Sequence, residues 1–143
     1  MYTKIVQFFS TNNSPNERWF NLGKFEVNFN NRVTANGLVT LFRAIYDKKC
    51  VGSDSAKEML DILSQQEFRS GIPAGLPSGV RARACIANKT GEISVAAHDA
   101  GIVFLPPRQP YVLAVLTETE PNANGRMERI ARVSAAVYEY LTQ

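Results

Sequence analysis

The sequence predicts an α+β fold, in which two helices precede an antiparallel sheet of at least three strands and a C-terminal helix packs on that sheet. Three observations support this prediction. Apolar residues recur at helical spacing in two successive segments after Thr34, three strand-like apolar runs follow them, and the chain ends in helical spacing again. We treat residues 1–143 as a single domain. Residues 1–33 show little recognisable periodicity, and the helical and strand-like segments lie in residues 34–143.

Composition narrows the class of protein. Of the 143 residues, 45% are hydrophobic and 20% are charged, which is typical of a globular domain. The net charge of +3 mildly favours anionic ligands, but the basic residues are scattered and only Lys48 and Lys49 are adjacent. We therefore expect no nucleic-acid binding. No apolar run is long enough for a membrane span, and residues 1–10 do not resemble a signal peptide.

The first 33 residues are rich in asparagine, which favours turns over a long helix. Within them, residues 24–30 alternate polar and apolar side chains and are expected to form a short strand or an extended segment.

Two helices are predicted next. Thr34 is the expected N-cap of the first, and its apolar face is formed by Leu38, Leu41, Phe42 and Ile45. A break at 52–54 precedes the second helix, which is expected to start with a capping box from Ser55 to Glu58. Its predicted apolar face is Met59, Leu60, Ile62, Leu63 and Phe68.

Residues 71–79 contain three glycines and two prolines, so the sequence predicts an irregular loop there. Strands are predicted at 80–88, 100–105 and 111–117, with a hairpin at 106–110 joining the last two. The third run is apolar throughout, which indicates a strand covered on both faces. Residues 126–141 are predicted to be helical, with an apolar stripe of Ile130, Val133, Val137, Tyr140 and Leu141 lying across the sheet.

The two cysteines show neither metal-ligand spacing nor an extracellular signature. We expect Cys50 and Cys85 to be reduced thiols, with Cys85 buried in a strand. No metal site is predicted.

The candidate site begins where the first predicted strand ends, at Lys89, Thr90 and Gly91. A strand there would present Lys89 on one face and Thr90 on the other, and would expose backbone at Gly91. Such an arrangement suits an anionic ligand beside a sheet edge. The nearby pair His98 and Asp99 is a weaker candidate for acid–base chemistry, because adjacent strand residues point to opposite faces.

Several stretches in a fixed order resemble the C-terminal half of a class A serine β-lactamase, or of the wider penicillin-recognising serine hydrolases. They cover about three-quarters of the chain: Ser64-Gln65-Gln66-Glu67-Phe68-Arg69, Ile72-Pro73-Ala74-Gly75-Leu76-Pro77, Ala87-Asn88-Lys89-Thr90-Gly91-Glu92, His98-Asp99-Ala100-Gly101-Ile102-Val103 and Pro110-Tyr111-Val112-Leu113.

The resemblance implies acyl transfer from a β-lactam to a serine of a Ser-x-x-Lys motif, followed by hydrolysis. By this resemblance, Lys89 supplies positive charge and a hydrogen bond to the proton-relaying serine, and Thr90 binds the substrate carboxylate. Gly91 lets the ligand lie close to the strand, and the backbone N–H of Glu92 is one oxyanion donor. No cofactor is implied. The ligand would be a β-lactam or a small molecule resembling a peptidoglycan peptide.

The chain also departs from this family. No serine has a lysine three positions later, so the nucleophile motif is absent from the sequence. Ser10 and Asn12 match the Ser-x-Asn loop only by their letters. Glu17 and the residues after it match the family's Glu-x-x-Leu-Asn pattern loosely, which would make Glu17 the deacylating glutamate. If Arg18-Trp19 is aligned instead with the Arg-Trp pair common in the family, Phe20 falls at the position of that glutamate. No basic residue lies at or beside Ala100, where many relatives carry an arginine for the substrate carboxylate.

Two functions therefore remain open: a fragment of a β-lactamase-like enzyme that needs a partner carrying the nucleophile, or a non-catalytic binding protein with this fold. Unless residues 2–9 or 24–30 fill the place beside it, the third strand would leave an unpaired apolar edge, which predicts a homo-oligomer or pairing with a complementing chain. Relatives act in the periplasm or are secreted. Without a recognisable export signal, the sequence leaves localisation open.

Overall fold

The computed structural model describes residues 33–118 and 124–143. They form helices, one 3-10 turn and three strands in the following order: α1 (Ala35–Tyr46), α2 (Ser53–Ser64), the 3-10 turn (Ile72–Gly75), α3 (Ser78–Arg81), β1 (Cys85–Ile93), β2 (Ala96–Phe104), β3 (Tyr111–Glu118) and α4 (Arg126–Thr142). The predicted α+β class is confirmed. The strand expected at 24–30 lies outside the described residues.

The three strands form an antiparallel sheet in the order β1-β2-β3. Residues 106–110 make the predicted hairpin between β2 and β3, whose turn is closed by a 2.7 Å hydrogen bond from Arg108 N–H to the Leu105 carbonyl. The register places Thr90 opposite Asp99 and Lys89 opposite Ala100. This pairing positions the candidate site residues against β2.

Each face of the sheet carries its own apolar cluster. On one face, α4 and the 3-10 turn cover the sheet through a cluster that includes Ile72, Leu113 and Ile130. On the other face, α1 packs against a cluster that includes Ile102 and Val112. Full burial of one such side chain contributes about 1.5–3 kcal/mol. The first five residues of β3 are buried without a break, which confirms that both faces of this strand are covered.

Helix α1 begins as predicted, because the Thr34 side chain accepts a 3.0 Å hydrogen bond from Gly37 N–H. Its buried stripe differs from the prediction. Leu41 is 50% exposed, and the residues buried against the sheet are Ala35, Val39, Phe42 and Ile45.

Helix α2 corrects two predictions. It begins at Ser53 with Gly52 as N-cap, and the Ala56 N–H donates to the Gly52 carbonyl at 3.0 Å. Ser55 therefore lies inside the first turn, and the capping box is wrong. Only Ala56 is fully buried on this helix, whereas Ile62 is 63% exposed, and Phe68 follows the helix and is 70% exposed.

The expectation of an irregular loop at 71–79 is also wrong, because the segment contains the 3-10 turn and the start of α3. Pro73 occupies an early position of the 3-10 turn, where no intrahelical N–H is needed. Gly75 is required by packing: a Cβ there would lie 2.2 Å from the Ala131 carbonyl oxygen on α4. The glycines and prolines of this segment are therefore compatible with short helical turns, contrary to the expectation that they prevent regular structure.

The predicted strand boundaries shift as well. The strand expected at 80–88 is Cys85–Ile93, because Arg81 and Ala84 donate to the carbonyls of Pro77 and Val80 and continue helical hydrogen bonding up to the strand. Lys89 and Thr90 thus lie inside β1. The strand expected at 100–105 starts earlier, at Ala96. Cys85 is exposed as the first residue of β1, so its predicted burial is wrong, and both cysteines are free thiols.

The stripe on α4 follows the prediction at four of its five positions. Ile130 and Val137 are buried, and Val133 and Leu141 pack against them. Tyr140 is 61% exposed and lies outside the contact with the sheet.

Candidate ligand-binding site

Strand β1 presents Lys89 and Thr90 on opposite faces, as strand geometry requires. The Lys89 side chain is exposed, and its amine donates a hydrogen bond to the Thr90 carbonyl. Thr90 is half-buried. A Cβ added at Gly91 would meet no atom within 4 Å, so the strand surface is open at this position. The three residues form an accessible stretch that offers an amine, a hydroxyl and bare backbone.

A groove of about 330 Å³ lies between Lys89 and the end of α2. Its walls combine apolar side chains, three amides and one carboxylate with the lysine: Ile62, Leu63, Gln65, Gln66, Glu67, Phe68, Asn88 and Lys89. The groove and the open strand surface meet at Lys89. Among the residues that line the groove, this lysine is the one that carries a positive charge.

A buried polar cluster lies beside this stretch. Asn88 and Asp99 are both 0% exposed. One oxygen of Asp99 accepts a 2.9 Å hydrogen bond from Asn88 Nδ2, and the other accepts a 2.8 Å hydrogen bond from Ile72 N–H. Burial raises the pKa of Asp99, although hydrogen bonds from Asn88, Ile72 N–H and Ala100 N–H and the charge of Arg69 oppose the shift.

The same cluster links the sheet to the 3-10 turn and α4. Ser134 Oγ donates to the Ile72 carbonyl at 2.8 Å, so Ile72 is held through both its N–H and its carbonyl. Gly71 passes so close to the carboxylate that a Cβ would lie 2.4 Å from Asp99 Oδ2. Only glycine permits this approach without displacement of the acid.

A second polar contact holds the far end of β1. Arg126, the first residue of α4, is only 14% exposed in its side chain. Its Nη2 and Nε donate to Glu92 Oε1 at 2.9 and 3.3 Å, and its Nη1 donates to the Ser94 carbonyl at 2.5 Å. The guanidinium therefore joins α4 to both the end of β1 and the turn that follows it.

His98 and Asp99 point to opposite faces of β2, as expected. His98 Nδ1 accepts a 3.2 Å hydrogen bond from Thr117 N–H, and burial lowers the His98 pKa against a smaller opposing effect of a backbone hydrogen bond at Ala97. The histidine pairs with β3 and the aspartate with β1. The two do not form an acid–base pair with each other.

The predicted site residues fall into two groups. Lys89, Thr90, Gly91 and Glu92 are consecutive on β1. Ser10, Asn12 and Glu17 lie outside the described residues. Ala100 is 4% exposed within the cluster against α1, so a basic side chain there would displace the core.

The sequence reasoning missed Asn88 and Arg126 and weighed Asp99 only as a partner of His98. A polar residue inside an apolar strand run was the available signal for Asn88 and Asp99, because buried polar groups require partners. Nothing in the sequence singled out Arg126.

Within residues 33–118 and 124–143, no group of three or more potential ligand side chains could hold a metal ion. In the same part of the chain, no helix combines the length and the apolarity needed to cross a membrane.

The structure is a three-stranded antiparallel sheet covered by a C-terminal helix, with Lys89, Thr90 and Gly91 on its outer strand β1. The sequence profile of the beta-lactamase enzyme family matches residues 4–141. The chain belongs to that family. No curated protein is similar enough in sequence to match.

Solved structures agree with this assignment. PBP-A is 33% identical to the chain with a TM-score of 0.70, and the match covers 77% of this chain and 40% of PBP-A. A mutant of PBP-A, with the same identity, coverage and TM-score, is described as an acyl-enzyme complex with penicillin G. A class A β-lactamase from Mycobacterium abscessus is 22% identical with a TM-score of 0.66, over 76% of this chain and 41% of that one, and shows the shared fold. The chain thus spans about two-fifths of the length of these structures.

Proposed function

We propose that the chain forms one wall of a β-lactam-binding cleft in a serine hydrolase whose nucleophile is supplied from elsewhere. The observation that carries the proposal is the position of Lys89 and Thr90 on an open stretch of β1 beside the 330 Å³ groove. The penicillin G acyl-enzyme described for a mutant of PBP-A, 33% identical over the matched region, supports a β-lactam as the ligand class. A peptidoglycan-like peptide has the same carboxylate and amide groups.

Each residue of the wall has a distinct proposed role. Lys89 supplies positive charge to the cleft and a hydrogen bond to the proton-relaying serine, and the Thr90 hydroxyl donates to the ligand carboxylate. Gly91 allows the ligand to lie against the strand. The Glu92 N–H stabilises the oxyanion that develops during acyl transfer, a contribution of about 3 kcal/mol for one such donor.

The catalytic cycle requires groups that we do not assign to the described residues. A nucleophilic serine, the hydroxyl that relays its proton, and a general base for deacylation are needed to complete the reaction. Glu17 remains the proposed base, and Ser10 and Asn12 remain proposed ligand contacts. We propose that a complementing chain provides the Ser-x-x-Lys motif, which the sequence does not contain.

The second candidate function is a non-catalytic protein that binds a β-lactam or peptide through the same wall. The lack of any Ser-x-x-Lys in the sequence favours it. Both candidates predict ligand binding at Lys89 and Thr90. They differ only in whether addition of a complementing chain restores turnover.

The test combines binding and chemistry. Penicillin G is titrated into the labelled full chain, and amide shifts of residues 88–92 are followed by NMR. We expect saturable shifts, which weaken at least about tenfold in Lys89→Ala and Thr90→Val, the loss expected for a charged hydrogen bond. Lys57→Ala, which removes an exposed lysine on α2, serves as the matched control.

Chemistry is measured with a chromogenic cephalosporin and the intact mass of the chain. The isolated chain should show neither turnover nor an acyl adduct. An adduct on the chain alone would contradict the claim that it lacks a working nucleophile. Absence of binding in the NMR titration would contradict both candidate functions.

A further inference from the structure

Strand β1 has an unusual balance of contacts around the Lys-Thr-Gly stretch. Its first half is anchored by apolar burial at Ile86 and Ala87, which are 1% and 0% exposed. After Asn88 the strand has no fully buried residue, and Ile93 is 50% exposed. Because none of residues 89–92 is fully buried, apolar packing does little to fix their position, and among the described residues β1 pairs with β2 alone.

Two polar contacts flank this weakly packed segment. Before it, Asn88 is hydrogen-bonded to Asp99, which in turn accepts from Ile72 N–H. After it, Arg126 holds Glu92 and the Ser94 carbonyl. Both contacts reach across to other elements: the first to the 3-10 turn and the second to α4. The segment between them, Lys89 to Gly91, is the part of the strand with the open surface.

We propose that Asp99 and Arg126 are positioning residues, which act through Asn88 and Glu92 to fix the Lys89–Gly91 backbone for ligand binding. The inference rests on the proposed function for the identity of the ligand, whereas the positioning itself is a property of the strand. We call the two contacts the inner clamp (Asn88, Asp99 and Ile72) and the outer clamp (Glu92, Ser94 and Arg126).

The chemistry of each clamp fits a positioning role. The inner clamp is fully buried, where loss of one partner leaves a polar group without compensation. The outer clamp uses the planar guanidinium, whose donors point in fixed directions and bridge a carboxylate and a carbonyl at once. A lysine at 126 would carry the same charge but would lack this planar arrangement of donors. Geometry, and not charge alone, is therefore what Arg126 contributes.

The exchange rates of backbone amides test the proposed positioning role without any ligand. In Arg126→Gln and in Asn88→Ala, the β1 amides of residues 88–92 that bond to β2 should exchange at least about tenfold faster, while amides of residues 112–115 in β3 stay unchanged. Arg126→Lys should fall between wild type and Arg126→Gln. Lys57→Ala breaks an ion pair of the same 2.9 Å length on α2 and is the matched control.

Two results would overturn the proposal. Amide exchange that accelerates equally in β1 and β3 would show that the clamp residues stabilise the whole fold, and unchanged exchange in β1 would show that they do not position this strand. Arg126 lies outside the fully buried inner clamp, with 14% of its side chain exposed, so Arg126→Gln keeps the test available if Asn88→Ala does not fold. Penicillin G affinity, followed by NMR, should fall at least about fivefold in Arg126→Gln at an unchanged melting temperature. If wild type binds no penicillin G, the proposed function fails, whereas the exchange data still decide the role of the clamps.

Discussion

At the scale of single residues, the most consequential side chain is Asp99, a carboxyl group with 0% exposure beside the candidate site. Its oxygens accept hydrogen bonds from Asn88 and from Ile72 N–H, yet desolvation outweighs these contacts and raises its pKa. Burial of an acid on these terms costs stability when the acid is ionised.

The raised pKa gives stability a defined dependence on pH. Because the folded state holds the Asp99 proton more tightly than the unfolded state, the contribution of Asp99 is fully present below its ordinary pKa of 3.8 and is lost as pH rises through its folded pKa. The unfolding free energy of wild type minus that of Asp99→Asn should fall over this range and then level off, as measured by urea titrations. A difference that rises with pH would show that the hydrogen bonds outweigh desolvation. Asp54→Asn, on the exposed start of α2, is the control.

Gly71 offers a second test at this scale. A Cβ there would lie 2.4 Å from Asp99 Oδ2 and 2.9 Å from Met127 Cε, so Gly71→Ala must displace one of them. We expect a loss of about 1–3 kcal/mol in the free energy of unfolding, typical of overpacking. Gly79→Ala is the matched control, because no atom lies within 4 Å of its added Cβ. Equal effects of the two substitutions would show that Gly71 is not held against the acid.

At the scale of elements, the sequence predicted what local chemistry determines and failed where tertiary contacts decide. The strand run at 111–117 and the N-cap at Thr34 were predicted correctly, because periodicity and capping depend on near neighbours. The stretch at 71–79 was misread, because its Gly75 is required by α4, about 55 residues further along the chain.

The candidate site divides in the same way. Lys89, Thr90 and Gly91 were recognised from a contiguous motif. The contacts that hold them come from Ile72, Asp99 and Arg126 on three other elements, and no local pattern links these positions. Pairing across a fold is set by register and packing, which a single sequence does not contain.

Helix initiation gives a prediction at this scale. Thr34→Ala should cost about 1 kcal/mol, because it removes the side-chain acceptor for Gly37 N–H at the start of α1. Ser55→Ala should change stability by less than about 0.5 kcal/mol, since Ser55 lies inside α2 and caps nothing. Chemical denaturation of both variants measures the contrast. A loss at Ser55 as large as that at Thr34 would restore the capping box that the structure rejects.

At the scale of the whole molecule, β3 forms the outer edge of the described sheet opposite β1. Its first five side chains are buried, and its outer backbone edge has no partner strand among residues 33–118 and 124–143. An unpaired edge of this kind is a template for a further strand. We therefore still predict that the outer edge of β3 pairs with a second copy of the chain or with a complementing chain.

Sedimentation measures this prediction directly. At rising concentration the full chain should sediment with a mass above the 15.9 kDa of one copy. A mass of 15.9 kDa at every concentration would contradict self-association. In that case, a mass increase on addition of a complementing chain would assign the edge to a different partner.

The contact between the 3-10 turn and α4 also has a consequence for the order of folding. Among residues 33–118 and 124–143, each strand pairs with its neighbour in sequence, so the hairpins close short loops and are expected to form early. The turn at Ile72–Gly75 packs on α4, which begins 50 residues later. Protection of the α4 amides in pulse-labelled exchange should therefore appear after that of the β2 and β3 amides, and docking of α4 would be the step that completes the fold.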